Sequence, residues 1–94
     1  MKKKEGPYEA VQPTTLDLLR DAREELKTCR ACTATSTTKI REWEMVPYGE
    51  ALRLGIPQKI QEERDSIEHF TADAAKAEKL IVTLAFRLVD EEAP

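Results

Sequence analysis

One stretch decides the fold of this chain: residues 57–89, PQKIQEERDSIEHFTADAAKAEKLIVTLAFRLV. Apolar residues recur in it every seven positions, and a second apolar row falls between them at the complementary three- and four-residue spacing. The first row is Ile60, Ile67, Ala74, Ile81 and Leu88, and the second is Phe70, Ala77 and Leu84. Both rows lie on one face of an α-helix, so we predict one long helix from about Pro57 to Val89.

The two halves of this predicted helix differ in their polarity. Up to Lys79 the residues outside the apolar rows are mostly polar, whereas nearly every residue from Leu80 to Val89 is apolar. That last run could also form a strand, but nothing interrupts the Ala-rich helix that leads into it. A helix that is apolar on all sides needs neighbours on all sides, so we predict a homo-oligomer. The predicted oligomer interface is Ile67, Phe70, Ala74, Ala77, Ile81, Leu84, Phe86 and Leu88.

A second helix is predicted to begin at a capping box. Thr14 has the chemistry of an N-cap, and Asp17 stands three residues later as its acidic partner. Residues 33–38 are nearly all Thr, Ser and Ala, whose hydroxyls and β-branching disfavour helix. We therefore predict that this first helix spans about Thr15 to Thr33 and frays beyond it, so that the long helix should extend several turns beyond the first.

The segment between the two helices is predicted to be structured. Apolar residues at three-residue spacing favour a short helix over residues 39–46, and Pro47 should end it. Residues 50–54 have room for one more helical turn before Gly55, and Pro57 suits the first turn of the long helix. The predicted fold is all-α: a long-helix hairpin with a short helical connection, assembling as an oligomeric helical bundle.

Composition and charge restrict the classes of function. The 94 residues are 40% hydrophobic and 35% charged, which indicates one small domain with strongly solvated helices. We assign residues 14–92 to this helical domain and residues 1–13 to a flexible N-terminal arm. The formal net charge of −3 provides no positive field for nucleic acid or membrane; only Lys2, Lys3 and Lys4 form a local basic run.

We expect a cytoplasmic protein, because the sequence shows neither a signal peptide nor a membrane-spanning segment. The basic start is followed by Glu5, Gly6 and Pro7 and not by an apolar segment, so no signal peptide is expected. The apolar run from Leu80 to Val89 is too short to cross a bilayer. Two cysteines fit a reduced, cytosolic chain.

Cys29 and Cys32 form a Cys-x-x-Cys pair, which can supply half a zinc site or a redox dithiol. The chain has no other cysteine and only His69 as a histidine, so the remaining zinc ligands are missing. A redox pair should open a helix after a strand, whereas this pair lies near the end of a helix. We predict two reduced core residues and no metal or cofactor; a zinc ion shared between two chains is the alternative.

Several carboxylates have the spacing of a divalent-metal site in a helical bundle: Asp21 with Glu24 or Glu25, and Glu62 with Asp65. The last pair resembles the Glu-x-x-Asp element of all-α nucleotide pyrophosphohydrolases. The Glu-Glu-x-x-Glu element of that family has no match, because a threonine occupies the place of its last glutamate. A divalent-metal nucleotide-processing enzyme is therefore the weakest alternative, and our expectation is that the protein is not an enzyme.

Residues 50–60 are similar to a helix-turn-helix, with Gly55 in the turn and a helix beginning near Pro57. The apolar anchor of the second helix should fall six positions after the glycine, which is the polar Gln61. Acidic residues follow at positions 62, 63 and 65, which would repel phosphates. A nucleic-acid-binding regulator is thus an alternative, and a corner between two helices is the preferred interpretation.

The aromatic residues and His69 offer no specific chemistry. His69 follows Asp65 by one helical turn, and no nucleophile with a companion base accompanies it. Trp43 and Tyr48 should cap the core near the connection, although a groove for a small ligand or peptide would also use them. The function we expect is a small cytosolic protein–protein interaction module, with a second copy and another protein as partners.

Overall fold

A computed structural model describes residues 12–93, which form a helical hairpin. Two long helices, α1 (Thr15–Glu44) and α3 (Ile56–Glu92), pack against each other, and a short helix, α2 (Tyr48–Arg53), connects them. The all-α hairpin with a short helical connection is confirmed. Most of the predicted N-terminal arm, residues 1–11, lies outside the described residues, as does Pro94.

Helix α1 begins at the predicted capping box. The backbone N–H of Asp17 donates to Thr14 Oγ1 at 3.1 Å, and the backbone N–H of Thr14 donates to Asp17 Oδ2 at 3.2 Å. Hydrogen bonding of the Asp17 carboxyl to Thr14, first to its backbone N–H and then to its side chain, lowers the pKa of that carboxyl below its ordinary value, and Arg20 adds a weaker effect. The charged carboxylate therefore fixes the first turn of α1, where it also complements the helix dipole.

The prediction that α1 frays after Thr33 is wrong, because the helix continues to Glu44. Hydroxyl groups in the Thr/Ser tract bond back to the preceding turn: Thr37 Oγ1 donates to the carbonyl of Thr33 at 2.8 Å, and Thr38 Oγ1 donates to that of Ala34 at 3.0 Å. Ser36 is buried. Packing on α3 thus overrides the low helix propensity of the tract.

The connection is shorter than predicted. The helix expected over residues 39–46 is the last part of α1 and the turn after it, and Pro47 is the N-cap of α2. Gly55 has φ = 70°, a left-handed conformation that favours glycine, and it caps the start of α3. Helix α3 extends to Glu92, beyond the end predicted near Val89. Its last turn is attached to α1, because Thr15 Oγ1 donates to Glu91 Oε2 at 2.6 Å.

The contact between α1 and α3 is a seam of heptad positions. On α3 the two apolar rows predicted from the sequence supply it, with Ala77 and Leu84 buried. On α1 the deepest positions also recur every seven residues, and all of them are small: Thr15, Ala22, Cys29 and Ser36. Small residues at these positions allow two helices to approach closely.

Polar contacts between the helices show that they run antiparallel and overlap along their lengths. Arg30 pairs with Glu78 at 3.2 Å, and Lys39 with Glu63 at 3.9 Å. Near the connection the Glu44 carboxylate lies 3.7 Å from the Arg64 guanidinium. The expectation that the long helix extends several turns beyond the first is therefore wrong: α1 has 30 residues and α3 has 37.

The hairpin is a long, thin object. Its longest dimension is 65 Å and its radius of gyration is 21.1 Å. A compact domain of this length would have a radius of gyration of about 12 Å. Two packed helices leave much of each helix surface facing outward, so the chemistry of the outer faces determines what the protein can contact.

Candidate functional site

Exposed large apolar side chains are concentrated at the two ends of the hairpin. We call the end that holds the start of α1 and the last turns of α3 the open end, and the end that holds α2 the turn end. At the open end these side chains are Leu16, Leu80, Val82, Phe86 and Val89. At the turn end they are Met45, Tyr48, Leu52 and Leu54. The long middle of the hairpin carries none of the large apolar side chains that are exposed in the described residues.

Three of the open-end residues form a continuous stripe. Val82, Phe86 and Val89 are spaced by four and three positions, so they lie on one face of α3. Leu84 in the seam is 1% exposed, whereas Phe86 is 69% exposed. Phe86 follows Leu84 by two positions, which correspond to a rotation of about 200° around a helix, so this stripe faces away from α1. We call these three residues the back stripe.

The residues predicted as an oligomer interface divide into three groups in the structure. Ala77 and Leu84 are covered by α1 of the same chain, and Phe86 is the one member on the back stripe. The others are half-buried along the seam: Ile67, Phe70, Ala74, Ile81 and Leu88. Val82 and Val89 were not predicted as interface residues, although their spacing relative to Phe86 is a second heptad pattern, offset from the first.

A groove of about 530 Å³ lies at the turn end, where a ligand or peptide site near Trp43 and Tyr48 was a predicted alternative. Trp43 is half-buried, whereas Tyr48 is largely exposed and does not close the groove. Glu44 and Arg64, which form an ion pair, are its charged members. Its apolar lining is Trp43, Val46, Tyr48, Ala51, Ile56, Pro57 and Ile60.

The two cysteines are free, and they differ in environment. Cys29 is buried in the seam, as predicted, and Cys32 is half-buried in a second groove of about 330 Å³ between α1 and α3. Burial, and secondarily the Asp73 and Glu25 carboxylates, raises the pKa of the Cys29 thiol. A zinc ligand must be a thiolate, so this environment opposes the alternative of a zinc ion shared between chains.

The carboxylates with metal-like spacing have other contacts. Gln58 Nε2 donates to Glu62 at 3.3 Å, and Gln61 Nε2 donates to Asp65 at 2.9 Å. His69 does not pair with Asp65: its Nε2 lies 3.2 Å from Asp73 Oδ2, one turn later. Within residues 12–93, no three His, Cys, Asp or Glu side chains are grouped so that they could hold a metal ion.

The corner that is similar to a helix-turn-helix is built from α2, Gly55 and the start of α3. Ala51 and Ile56 are buried there, whereas Gln61, at the position where a helix-turn-helix has its apolar anchor, is exposed. None of the helices in the described part of the chain is long and apolar enough to span a membrane. No protein-family model, curated protein or solved structure matches this chain.

Proposed function

We propose that this protein is a small interaction module, a scaffold, adaptor or inhibitor, that works by protein–protein contact and self-associates into a helical bundle. The observation that carries the proposal is the back stripe. Phe86 and its two valine neighbours place three large apolar side chains in water on one face of α3, next to one another. Contiguous apolar surface of this kind marks interaction sites on soluble proteins.

The composition of the seam is a second argument for association. The four deepest positions of α1 are small residues and Ile40 is the one large side chain buried on this helix, so these positions contribute little apolar area when the hairpin closes. A chain of 94 residues is already near the lower limit for an independent core. Contact with a second molecule would add apolar burial that the hairpin does not supply to itself.

Charged side chains lie beside the apolar ends of the hairpin and favour specific contact over general adhesion. Exposed ion pairs such as Arg20–Asp17 and Arg53–Glu50 are worth little for stability, but they keep these ends hydrated. The formal charge of −3 gives no general attraction for nucleic acid. A reducing compartment is part of the proposal, since both cysteines are free thiols.

Sedimentation of the full chain as a function of concentration tests self-association. The wild-type chain should shift from monomer to a larger species as its concentration rises into the high micromolar range. Phe86→Lys should abolish the shift while leaving the helix content unchanged, because the side chain is exposed in the hairpin. Gln61→Lys is the matched control, since it places the same charge on an exposed polar position of α3.

Two results would contradict the proposal. The first is a wild-type chain that remains monomeric up to about millimolar concentration, where even weak specific contacts form. The second is a Phe86→Lys chain that associates as strongly as the Gln61→Lys control, because the contact would then not use the back stripe.

A further inference from the structure

We infer that the back stripe binds a second copy of this chain, with the two α3 helices antiparallel about a two-fold axis level with Leu84. This inference rests on the proposed function and names the partner, the face and the alignment. Because the back stripe points away from α1, the two α3 helices lie at the centre and the two α1 helices outside. The assembly is then a row of four helices, in the order α1, α3, α3, α1.

The back stripe continues in both directions with the same spacing. Ala75 and Lys79 precede it and Ala93 follows it, so that six positions alternate by four and three residues. A 4–3 repeat along one face is the pattern of a two-stranded helical seam. From position 75 to Glu92, the last residue of α3, this face corresponds to about 26 Å of helix, and Ala93 is the C-cap residue just beyond it.

Only one antiparallel alignment pairs all six positions with one another. With the axis level with Leu84, Val82 of one copy faces Phe86 of the other, and Ala75 faces Ala93. Lys79 then faces Val89 of the second copy. An alignment shifted by one heptad towards the end of the chain overlaps only from Val82 onward. A shift in the other direction places Phe86 opposite Ala75 and Val89 opposite Ala72, so none of the three large apolar residues would face another.

Shape and the charges of Lys79 and Asp90 are complementary in this alignment, whereas Glu78 and Glu92 of the second copy, on the opposite flank, carry like charges. A shallow hollow of about 440 Å³ lies beside Val82, lined also by Glu78, Lys79 and Thr83. Phe86 of the second copy lies over Val82 and enters this hollow. The Lys79 stem covers Val89 of the second copy, and its ammonium reaches Asp90 of that copy on the same side of the seam. Because the dimer has a two-fold axis, each of these contacts occurs twice.

The contact is small, which sets its expected strength. Three large apolar side chains per copy provide less than the roughly 1,200–2,000 Å² that a standard stable interface buries. The dimer should therefore be weak and concentration-dependent, and its two Lys79–Asp90 pairs should contribute visibly to its orientation.

Charge reversal on two full-length variants tests the alignment by sedimentation. Lys79→Glu and Asp90→Lys, each alone, place like charges opposite each other and should raise the dimer dissociation constant about tenfold. An equimolar mixture of the two variants should restore association to within about threefold of wild type. In the mixed dimer the glutamate introduced at position 79 of one copy faces the lysine introduced at position 90 of the other, so the contact is again attractive. Both side chains are exposed, so neither substitution should change the helix content, which circular dichroism measures.

The outcomes separate this inference from the proposal on which it rests. If wild type dimerises but either variant alone dimerises equally well, or if the mixture forms no heterodimer, the alignment is wrong and self-association stands. A parallel dimer would produce unchanged single variants, because it places Lys79 beside Lys79. A wild-type chain that never associates overturns both.

Discussion

Leu84 and Phe86 stand two residues apart in α3 and have opposite environments, 1% and 69% exposed. The inner face of the helix is closed by α1 of the same chain, and the outer face at the open end is apolar and is not covered by any of residues 12–93. Nearer the turn end, the outer face of α3 carries polar residues such as Gln61 and Asp65, which bond to each other. One helix therefore has two kinds of surface: it packs on α1 along its length, and it exposes large apolar side chains to solvent only near its end.

Helix α1 shows the same contrast between faces, with different chemistry. Ser36 is buried in the seam, and Thr38, two residues later, is exposed and bonds back to its own helix. The deepest row of α1 consists of small side chains, with Ile40 buried beside it, and most of the outer face is polar. The seam thus specifies close helix pairing, whereas the exposed large apolar side chains lie at the two ends of the hairpin.

The largest effect should follow from a charge in the seam. Leu84→Lys removes a leucine that is 1% exposed and buries an unpaired ammonium, which should cost more than the roughly 2–5 kcal/mol of a Leu→Ala change. A small hairpin should then unfold, as measured by the loss of helical circular dichroism at 25 °C. Gln61→Lys should keep its helix content; equal stability of the two variants would mean that α1 does not cover this face.

Overpacking the small row on α1 should have an intermediate effect. Ser36→Leu places a larger side chain where two helices approach closely, and overpacking of this kind costs about 1–3 kcal/mol. Urea unfolding followed by circular dichroism measures the loss. Thr35→Leu, at an exposed neighbouring position, should change stability by less than about 0.5 kcal/mol. A stabilised Ser36→Leu chain would show that the seam is loosely packed.

On the outer face of α1 a substitution should be mildly stabilising. Thr38→Ala replaces an exposed β-branched residue with the best helix former, worth roughly 0.3–0.7 kcal/mol. Urea unfolding should show this gain, and amide hydrogen exchange should slow in the last turns of α1. Loss of protection after Thr33 would mean that the hydroxyl hydrogen bonds, and not packing on α3, keep this part of the helix formed.

The smallest effect should come from ionisation of the buried thiol. The pKa of Cys29 is raised above its ordinary value of 9.0, so the unfolded chain ionises first. The stability that this thiol contributes is complete below that ordinary value and is lost as the pH rises through and above it. Urea unfolding at about pH 8 and pH 10 should show a smaller alkaline loss in Cys29→Ala than in wild type.

The reaction rates of the two thiols test whether Cys29 is buried, which the prediction about its ionisation assumes. At neutral pH a thiol reagent should modify half-buried Cys32 at least about tenfold faster than Cys29, whose reaction requires local opening of the seam. Equal rates at the two positions would place Cys29 outside the seam.

The sequence predicts the hairpin well where periodicity and capping agree. The rows through Ala77 and Leu84 identify the inner face of α3, and Thr14 with Asp17 identifies the start of α1. It fails over residues 33–38, because local propensity does not include the contact with α3 that buries Ser36. That error shortened α1 and produced the incorrect expectation that α3 extends several turns beyond it.

The candidate contact surface was predicted only in part. An excess of apolar residues from Leu80 to Val89 is visible in the sequence, and it indicates a need for neighbours. Which residues α1 covers depends on the geometry of the seam, so Val82 and Val89 could not be separated from Leu84 by composition. The 4–3 spacing of the back stripe is offset from the heptad rows of the seam, so it identifies a second apolar face only when the residues covered by α1 are known.

The hydrogen bond from Thr15 to Glu91 has a consequence for how the chain folds and opens. It joins residues 76 positions apart, so it forms only after a long loop has closed, whereas contacts near Gly55 require closure of a short one. Pairing should propagate like a zipper from the turn end, and fraying should begin at the open end. Dimerisation across the back stripe would then slow the unzipping of each hairpin, and amide exchange at the open end would become concentration-dependent.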